Sequence, residues 1–413
     1  MCTTSPMTND GKTSLVTVTV TVTVTGWILS AGILCLMVYT PINMVAQTNL
    51  VAILLLGLSL SYTPYFNFVR QHAKAVMAIL LLLVANAALS PLPKDAATGA
   101  FNVFKGLWLF PVAILAYPLF TRHRFGWSAL LLCVLNSAAA LALLVWVVDW
   151  SNSYRSLLVW SDKHVGNLHN LNNFIFVSDL LALTLILRYQ ERLFRFGALL
   201  CLLPLLVLSV LVQSEGSTLA LFCTCMLLAA LHFQGRVRTC LLAVSALPII
   251  ALQLFYTFPE LLTAVTGLKS HTLNIRSQIY AQLLEAWQLH PFTGWGIATY
   301  KYVEEAAVNG REFLYPHNLY LEALFSLGII GTLFIALAVA RILRSIDYNA
   351  AIQNPVQLFA LATLSYLSIK GMSDMKLMSA HTIGWFSLCL GLLLASSSRY
   401  DYIRKAENYG IYS

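Results

Sequence analysis

Long apolar runs separated by short polar connections set the pattern of this chain. A helix that crosses a bilayer needs about 20 predominantly apolar residues, and lipid admits only helices or closed barrels because backbone polar groups must be satisfied internally. Twelve segments fit, centred near residues 29, 57, 82, 112, 137, 180, 204, 225, 248, 328, 363 and 388. Val16 to Thr25 alternates Val with Thr, a strand pattern when taken alone. The apolar run continues through Gly26 and Trp27 to Val38, so the segment reads as the start of a helix. A Ser/Thr-rich, weakly basic start and no clear small-residue cleavage site speak against a cleavable signal peptide. The fold expected is an all-α polytopic membrane protein with about 12 transmembrane helices.

Composition agrees. The 413 residues are 59% hydrophobic and 10% charged, with a mean hydropathy of +0.75. A soluble domain carries roughly 45–50% apolar and about 25% charged residues, so this chain takes lipid as its solvent. The net charge of +8 raises the question of nucleic acid, but the basic residues are dispersed among short connections without a stripe or motif. They report topology instead. With the N-terminus in the cytoplasm, 15 of the 25 Lys and Arg fall on the cytoplasmic side, against 5 of the 17 Asp and Glu, as the positive-inside rule requires. Both termini are then cytoplasmic. The eight cysteines lie mostly in apolar runs and read as small hydrophobes, neither a disulfide framework nor a zinc site.

One connection is long, and connections beyond about 12–15 residues usually carry function. The chain divides into residues 1–256 with spans one to nine, a large outer loop over 257–316, and residues 317–413 with spans ten to twelve and a cytoplasmic C-terminus. In the loop, Asn274 is placed to cap a helix from Ile275 to about His290, which Pro291 ends. Arg276, Tyr280, Leu283 and Trp287 recur at helical spacing. Gly294-Trp295-Gly296 makes a turn, and a shorter helical stretch runs through Tyr300–Val308. Pro316 suits a helix's first position, which sets His317 on the first turn of span ten. Gly328 and Gly331 in that span fit close helix packing.

Taken together, Arg276, Trp287, His290-Pro291, Gly294-Trp295-Gly296, His317-Asn318-Leu319-Tyr320-Leu321 and Gly328-Ile329-Ile330-Gly331 resemble the O-antigen ligase and O-antigen polymerase superfamily. Its hallmark is an arginine, then HP-x-x-G-x-G, then HN-x-(Y/F)-L and G-(I/V)-(I/V)-G around a large periplasmic loop. Order and placement carry the resemblance, since each piece alone is cheap. It implies a GT-C-type glycosyltransferase of the bacterial inner membrane with a helical periplasmic loop, its active site facing the periplasm, and no cofactor. In the ligase branch, O-antigen carried on undecaprenyl diphosphate is the donor and the lipid A–core of lipopolysaccharide is the acceptor. In the polymerase branch the acceptor is another repeat unit on the same carrier, and a third branch glycosylates protein hydroxyls. A length near 400 with a compact loop favours the ligase over the protein-glycosylating branch, and less strongly over the polymerase.

That chemistry assigns roles. The leaving diphosphate needs a cation, and the planar guanidinium of Arg276 suits it. The acceptor hydroxyl needs a base, for which the imidazole of His317 is suited near neutral pH. The expected reaction is an inverting displacement, and no aspartates in metal-ligand spacing occur in the loop, so no metal is expected. Glu215 stands where ligases often carry an arginine; it is an alternative base, and Arg155 or Lys370 is a candidate for the missing cation. Lys105 and Lys370 fall at outer span ends, where each can meet a phosphate or snorkel. His169 and Asn173 are placed to line the acceptor path, while Asn318, Tyr320 and Trp287 are expected to bind substrate beside the catalytic pair. Trp287 and Trp295 read first as packing residues and second as sugar platforms, and His290 as the end of its helix. Asp179 is an intramembrane acid without an evident partner. A lipid-linked glycan transporter is the competing class, but transporters commonly show symmetric halves, and here the polar content gathers in one asymmetric loop.

Overall fold

The computed structural model describes residues 73–117, 120–164, 168–212, 214–258, 260, 271–303, 315–373 and 375–395, with Gly32, Leu34 and Cys35. In chain order the helices are α1 (Ala73–Leu89), α2 (Pro93–Leu107), α3 (Leu109–Ala116), α4 (Arg122–Trp146) and α5 (Ser153–His164). Next come α6 (Leu168–Arg188), α7 (Arg192–Leu211), α8 (Glu215–His232), α9 (Gly235–Thr257) and α10 (His271–Trp287). The last are α11 (Leu319–Arg344), α12 (Tyr348–Gln353), α13 (Pro355–Lys370) and α14 (Ala380–Leu394). No strand occurs among the described residues. Among these residues seven helices are long and apolar enough to cross a membrane, and α1 and α14 contain shorter apolar stretches. Every expected span from residue 82 onward coincides with helix, while those near residues 29 and 57 lie outside the described residues.

Two helices form the centre. α6 and α13 bury nearly their whole circumference, as expected of helices that are apolar all round. α4, α5, α7 and α8 pack on α6; α8, α12 and α14 pack on α13; α14 also seats against α2 and α3. Lipid tails are as apolar as leucine, so burial alone does not drive this assembly; close packing and interhelical hydrogen bonds of about 0.6–2 kcal/mol each do. Asn136 on α4 donates to Ser178 on α6 at 2.9 Å. Ser209 on α7 donates to Asp179 on α6 at 3.2 Å, which supplies the partner that sequence left open for this fully buried acid. α9 packs on α8 and α10 and otherwise faces outward.

In the 257–316 connection, α10 starts at His271, so Asn274 lies within the helix and is not its cap. The helix ends at Trp287, three residues short of His290. The residue before a proline avoids helical geometry, and the chain unwinds there through tight turns, with His290 N donating to Trp287 O at 2.9 Å. Ile279, Tyr280, Leu283 and Ala286 form the buried face of α10, together with Trp295, Tyr300, Val303 and Phe325. The expected stretch through Tyr300–Val308 is a single 3₁₀ turn at Tyr300–Tyr302 as far as the described residues reach.

Candidate functional site

Part-way along α11 the helix is interrupted: Gly328 has φ 62° and ψ −173°. Its hydrogen-bond ladder fails there, leaving carbonyls before the break and amides after it without intrahelical partners. At membrane depth each unsatisfied group costs several kcal/mol. The loop that follows α10 supplies the partners. Trp295 N donates to Phe325 O at 2.9 Å and Gly296 N to Ser326 O at 3.1 Å. Beyond the break, Ile329 N donates to Pro291 O at 2.9 Å and Ile330 N to Phe292 O at 3.3 Å. Gly294, with φ 72°, presses so closely that a side-chain carbon on it would sit 2.5 Å from Gly328 N, and one on Gly328 would collide with the Phe292 carbonyl. The expectation that Gly328 serves helix packing is therefore corrected. A left-handed φ cannot continue a helix, and what approaches Gly328 is the inserted loop.

α1 holds this joint from the other side. Asn86 Nδ2 donates to Ser326 O at 3.0 Å and Thr293 O at 3.3 Å, and its Oδ1 accepts from Ile297 N at 3.0 Å. Ser90 Oγ donates to the Trp295 carbonyl. Trp295 is a packing residue: its indole N–H donates to Ala286 O at 2.8 Å and its ring lies parallel to Phe325 at 6.1 Å between centroids. The His290 ring meets Trp295 edge-on at 4.6 Å.

The start of α11 departs from expectation. Asn318 is the N-cap, its Oδ1 accepting from Tyr320 N at 3.0 Å and Leu321 N at 3.1 Å. Pro316 and His317 thus precede the helix, because an asparagine that satisfies two orphan amides outweighs proline's preset φ. His317 has φ 56°, an uncommon left-handed conformation that histidine tolerates better than most, and its ring packs on Tyr315 at 4.4 Å. Leu319 N donates to Gly371 O at 2.7 Å. Asn318 Nδ2 reaches the Met372 carbonyl at 3.2 Å and Tyr280 Oη at 3.4 Å. Tyr280 Oη and Gln253 Nε2 donate to the same carbonyl at 3.4 and 3.2 Å. The turn that ends α13 therefore gathers α9, α10 and α11.

Other candidate residues stand on the elements that meet around this turn. Arg276 stands one helical turn before Tyr280 on the same face of α10. Glu215 opens α8 and is exposed; a side-chain carbon on its neighbour Gly216 would sit 2.6 Å from Ser373 Oγ. Lys370 is 1% exposed and donates to Asn173 on α6, so it ties two helices together and does not snorkel. Glu322, one turn into α11 and also 1% exposed, accepts from Leu377 N at 2.6 Å and Met378 N at 3.3 Å. Burial, and after it the charge of Glu322, pushes the Tyr300 phenol well above its ordinary range.

Lys105 is exposed on α2 with its ammonium 4.4 Å from the Phe101 ring, away from this cluster. Arg155 lies on α5 in a separate cavity. Trp287 packs beside the Trp295 cluster at the end of α10. Tyr320 is half-exposed, with its hydroxyl donating to Ser368 O at 3.0 Å, and His169 falls in the first turn of α6. Among the described residues, no three His, Cys, Asp or Glu side chains lie close enough to share a metal ion.

Residues 199–336 match the family model described as O-antigen ligase. Over this third of the chain the sequence is similar to the O-antigen ligase family. No curated protein shows a significant match to the chain. The O-antigen ligase segment runs from α7 past the Gly328 break, enclosing α10, the inserted loop and His317-Asn318, and leaving the α13 turn outside. Its apolar helices are those of a membrane protein, and the matched segment is similar to O-antigen ligases.

Sequence reasoning missed Asn86, Ser90, Gln253 and Glu322. A signal was present for the first pair: Asn86 is a polar residue inside an otherwise apolar stretch, and Ser90 follows its end at a spacing of four. Gln253 and Glu322 act on backbone groups of the α13–α14 connection, and no spacing in the sequence announces those partners.

Proposed function

We propose that the chain transfers O-antigen polysaccharide from undecaprenyl diphosphate to the lipid A–core of lipopolysaccharide, on the periplasmic face of the inner membrane. The observation that carries this is the Asn318–Tyr280–Met372 link. It ties the loop end bearing His317 to the helix bearing Arg276, which stand at opposite ends of the long connection in sequence. In the reaction, His317 takes the proton of the acceptor hydroxyl as its oxygen bonds to the anomeric carbon. The bond from that carbon to undecaprenyl diphosphate breaks, the diphosphate leaves as an anion paired with Arg276, and configuration inverts. No metal takes part. Glu215 borders the same turn and is the alternative base; Lys370 and Asn173 tie α13 to α6 beside it.

Two experiments test this. Purified protein should attach polymer from undecaprenyl diphosphate to lipid A–core in the presence of EDTA; complete loss in EDTA removes the metal-free mechanism. A deletion strain should make core without polymer while carrier-linked chains persist. Core bearing a single repeat would assign the polymerase reaction instead, and carrier-linked glycan held on the cytoplasmic side would assign transport.

A further inference from the structure

At the end of α4 and along α5 lies a cavity of about 610 Å³ lined by Trp146, Asp149, Asn152, Arg155, Trp160 and Lys163 among others. Asn152, Arg155, Ser156, Val159, Trp160 and Lys163 recur at helical spacing and form one face of α5 and the turn before it, while Leu157 and Ser161 on the other face are buried. Trp146 is 82% exposed, and Trp160 has one ring face against His164 at 4.9 Å. Among the described residues, neither Arg155 nor Lys163 is engaged by a carboxylate. The Asp149 carboxylate is held in place by the backbone N–H and hydroxyl of Ser151, at 3.0 and 2.7 Å. Aromatic faces, two cations, an oriented carboxylate and an asparagine surround one space.

That lining separates two occupants. Exposed tryptophans near a span end also suit a lipid interface. An oriented carboxylate, however, accepts hydrogen bonds from sugar hydroxyls, which phosphatidylethanolamine and phosphatidylcholine headgroups do not offer. The cavity also lies at the same end of the bundle as the candidate site: α6 begins four residues after α5 ends, and its second turn presents Asn173 to Lys370. We infer that this cavity is a binding subsite for an anionic saccharide, with ring faces on the tryptophans, phosphate or carboxylate groups on Arg155 and Lys163, and hydroxyls on Asp149 and Asn152. The inference rests on the transferase reading for its choice of a glycan, which either the donor or the acceptor can supply.

Calorimetric titration of the full chain in phosphatidylcholine nanodiscs tests it. The probes are a delipidated phosphorylated core oligosaccharide, the same oligosaccharide after phosphatase treatment, and a uronate-containing repeat-unit oligosaccharide. Binding of one charged probe is expected, and which one binds identifies the source. Arg155→Ala with Lys163→Ala should weaken it at least tenfold, as should Trp160→Ala, with Trp160→Phe close to the parent. Undiminished binding in these variants overturns the subsite, and so does full displacement by phosphatidylglycerol vesicles. His317→Ala should bind as the parent does. If it does while the parent transfers no glycan, the transferase reading fails and the subsite stands.

Discussion

Asn318 donates to the carbonyl of Met372 at 3.2 Å, joining the cap of α11 to the turn beyond α13. His317 immediately precedes that cap in a left-handed backbone conformation, so its place is set by a helix that follows it by some 50 residues in sequence. The bundle thus takes part in positioning the candidate base, beside Tyr315 of its own loop.

Removing the base tests its role directly. A general base contributes about 10²–10⁴-fold, so His317→Ala should lower transfer by that factor with the thermal midpoint retained. Arg276→Lys keeps the charge but loses the planar fork, and its rate should fall between those of the parent and Arg276→Ala. Equal rates for parent and His317→Ala would end the assignment.

Tyr280→Phe deletes the hydroxyl between Asn318 and the Met372 carbonyl. The stability cost should be about 0.5–1.5 kcal/mol, the net worth of a typical hydrogen bond. Transfer should drop several-fold through the rate constant rather than through donor affinity. A variant with parental kinetics would show that the link does not position the site.

Gly328→Ala places a side-chain carbon against the Phe292 carbonyl at a residue with φ 62°. The left-handed conformation alone costs roughly 1–2 kcal/mol for a non-glycine residue, and the collision adds to it. The thermal midpoint in detergent should fall by several degrees and activity with it, whereas Gly235→Ala, also left-handed but with open space around it, pays only the conformational cost. Matching midpoints for the two variants would argue against the inserted loop.

Asn86→Leu keeps the volume of the side chain and leaves Ile297 N without its acceptor. A buried unsatisfied donor costs about 1–3 kcal/mol. Thermal unfolding should show a loss of that size, with protease cleavage appearing near residues 291–297.

Tyr300 gives a pH dependence of definite sign. Its folded-state pKa is raised, by burial first and by Glu322 second. Its contribution to stability is thus complete below the ordinary tyrosine value of about 10 and is lost as pH rises toward the higher folded value. The alkaline limb of the midpoint-versus-pH curve should flatten in Tyr300→Phe, while the curve near neutrality should not change.

Span positions were legible from hydropathy because lipid imposes helix on any long apolar run. The order HP, GWG, HN and GIIG was legible as a family pattern, yet its geometry was not. Gly294 and Gly328 meet as two halves of one joint across more than 30 residues, and periodicity sees only neighbours. The start of α11 was misplaced because Pro316 and Asn318 both carry start signals, and only the fold shows which amides are free. Trp295 was read correctly as a packing residue, whereas the helix expected to run to His290 stops at Trp287, because the turns that lead into Pro291 begin there.

The break at Gly328 also bears on biogenesis. The loop that completes α11 is synthesised before it, and by the topology proposed here must already be across the membrane when α11 enters. α11 therefore cannot partition into lipid as a finished helix on its own. Its central carbonyls and amides become compatible with hydrocarbon only when residues 291–297 dock onto them. The span is complete as a helix in hydrocarbon only together with that loop.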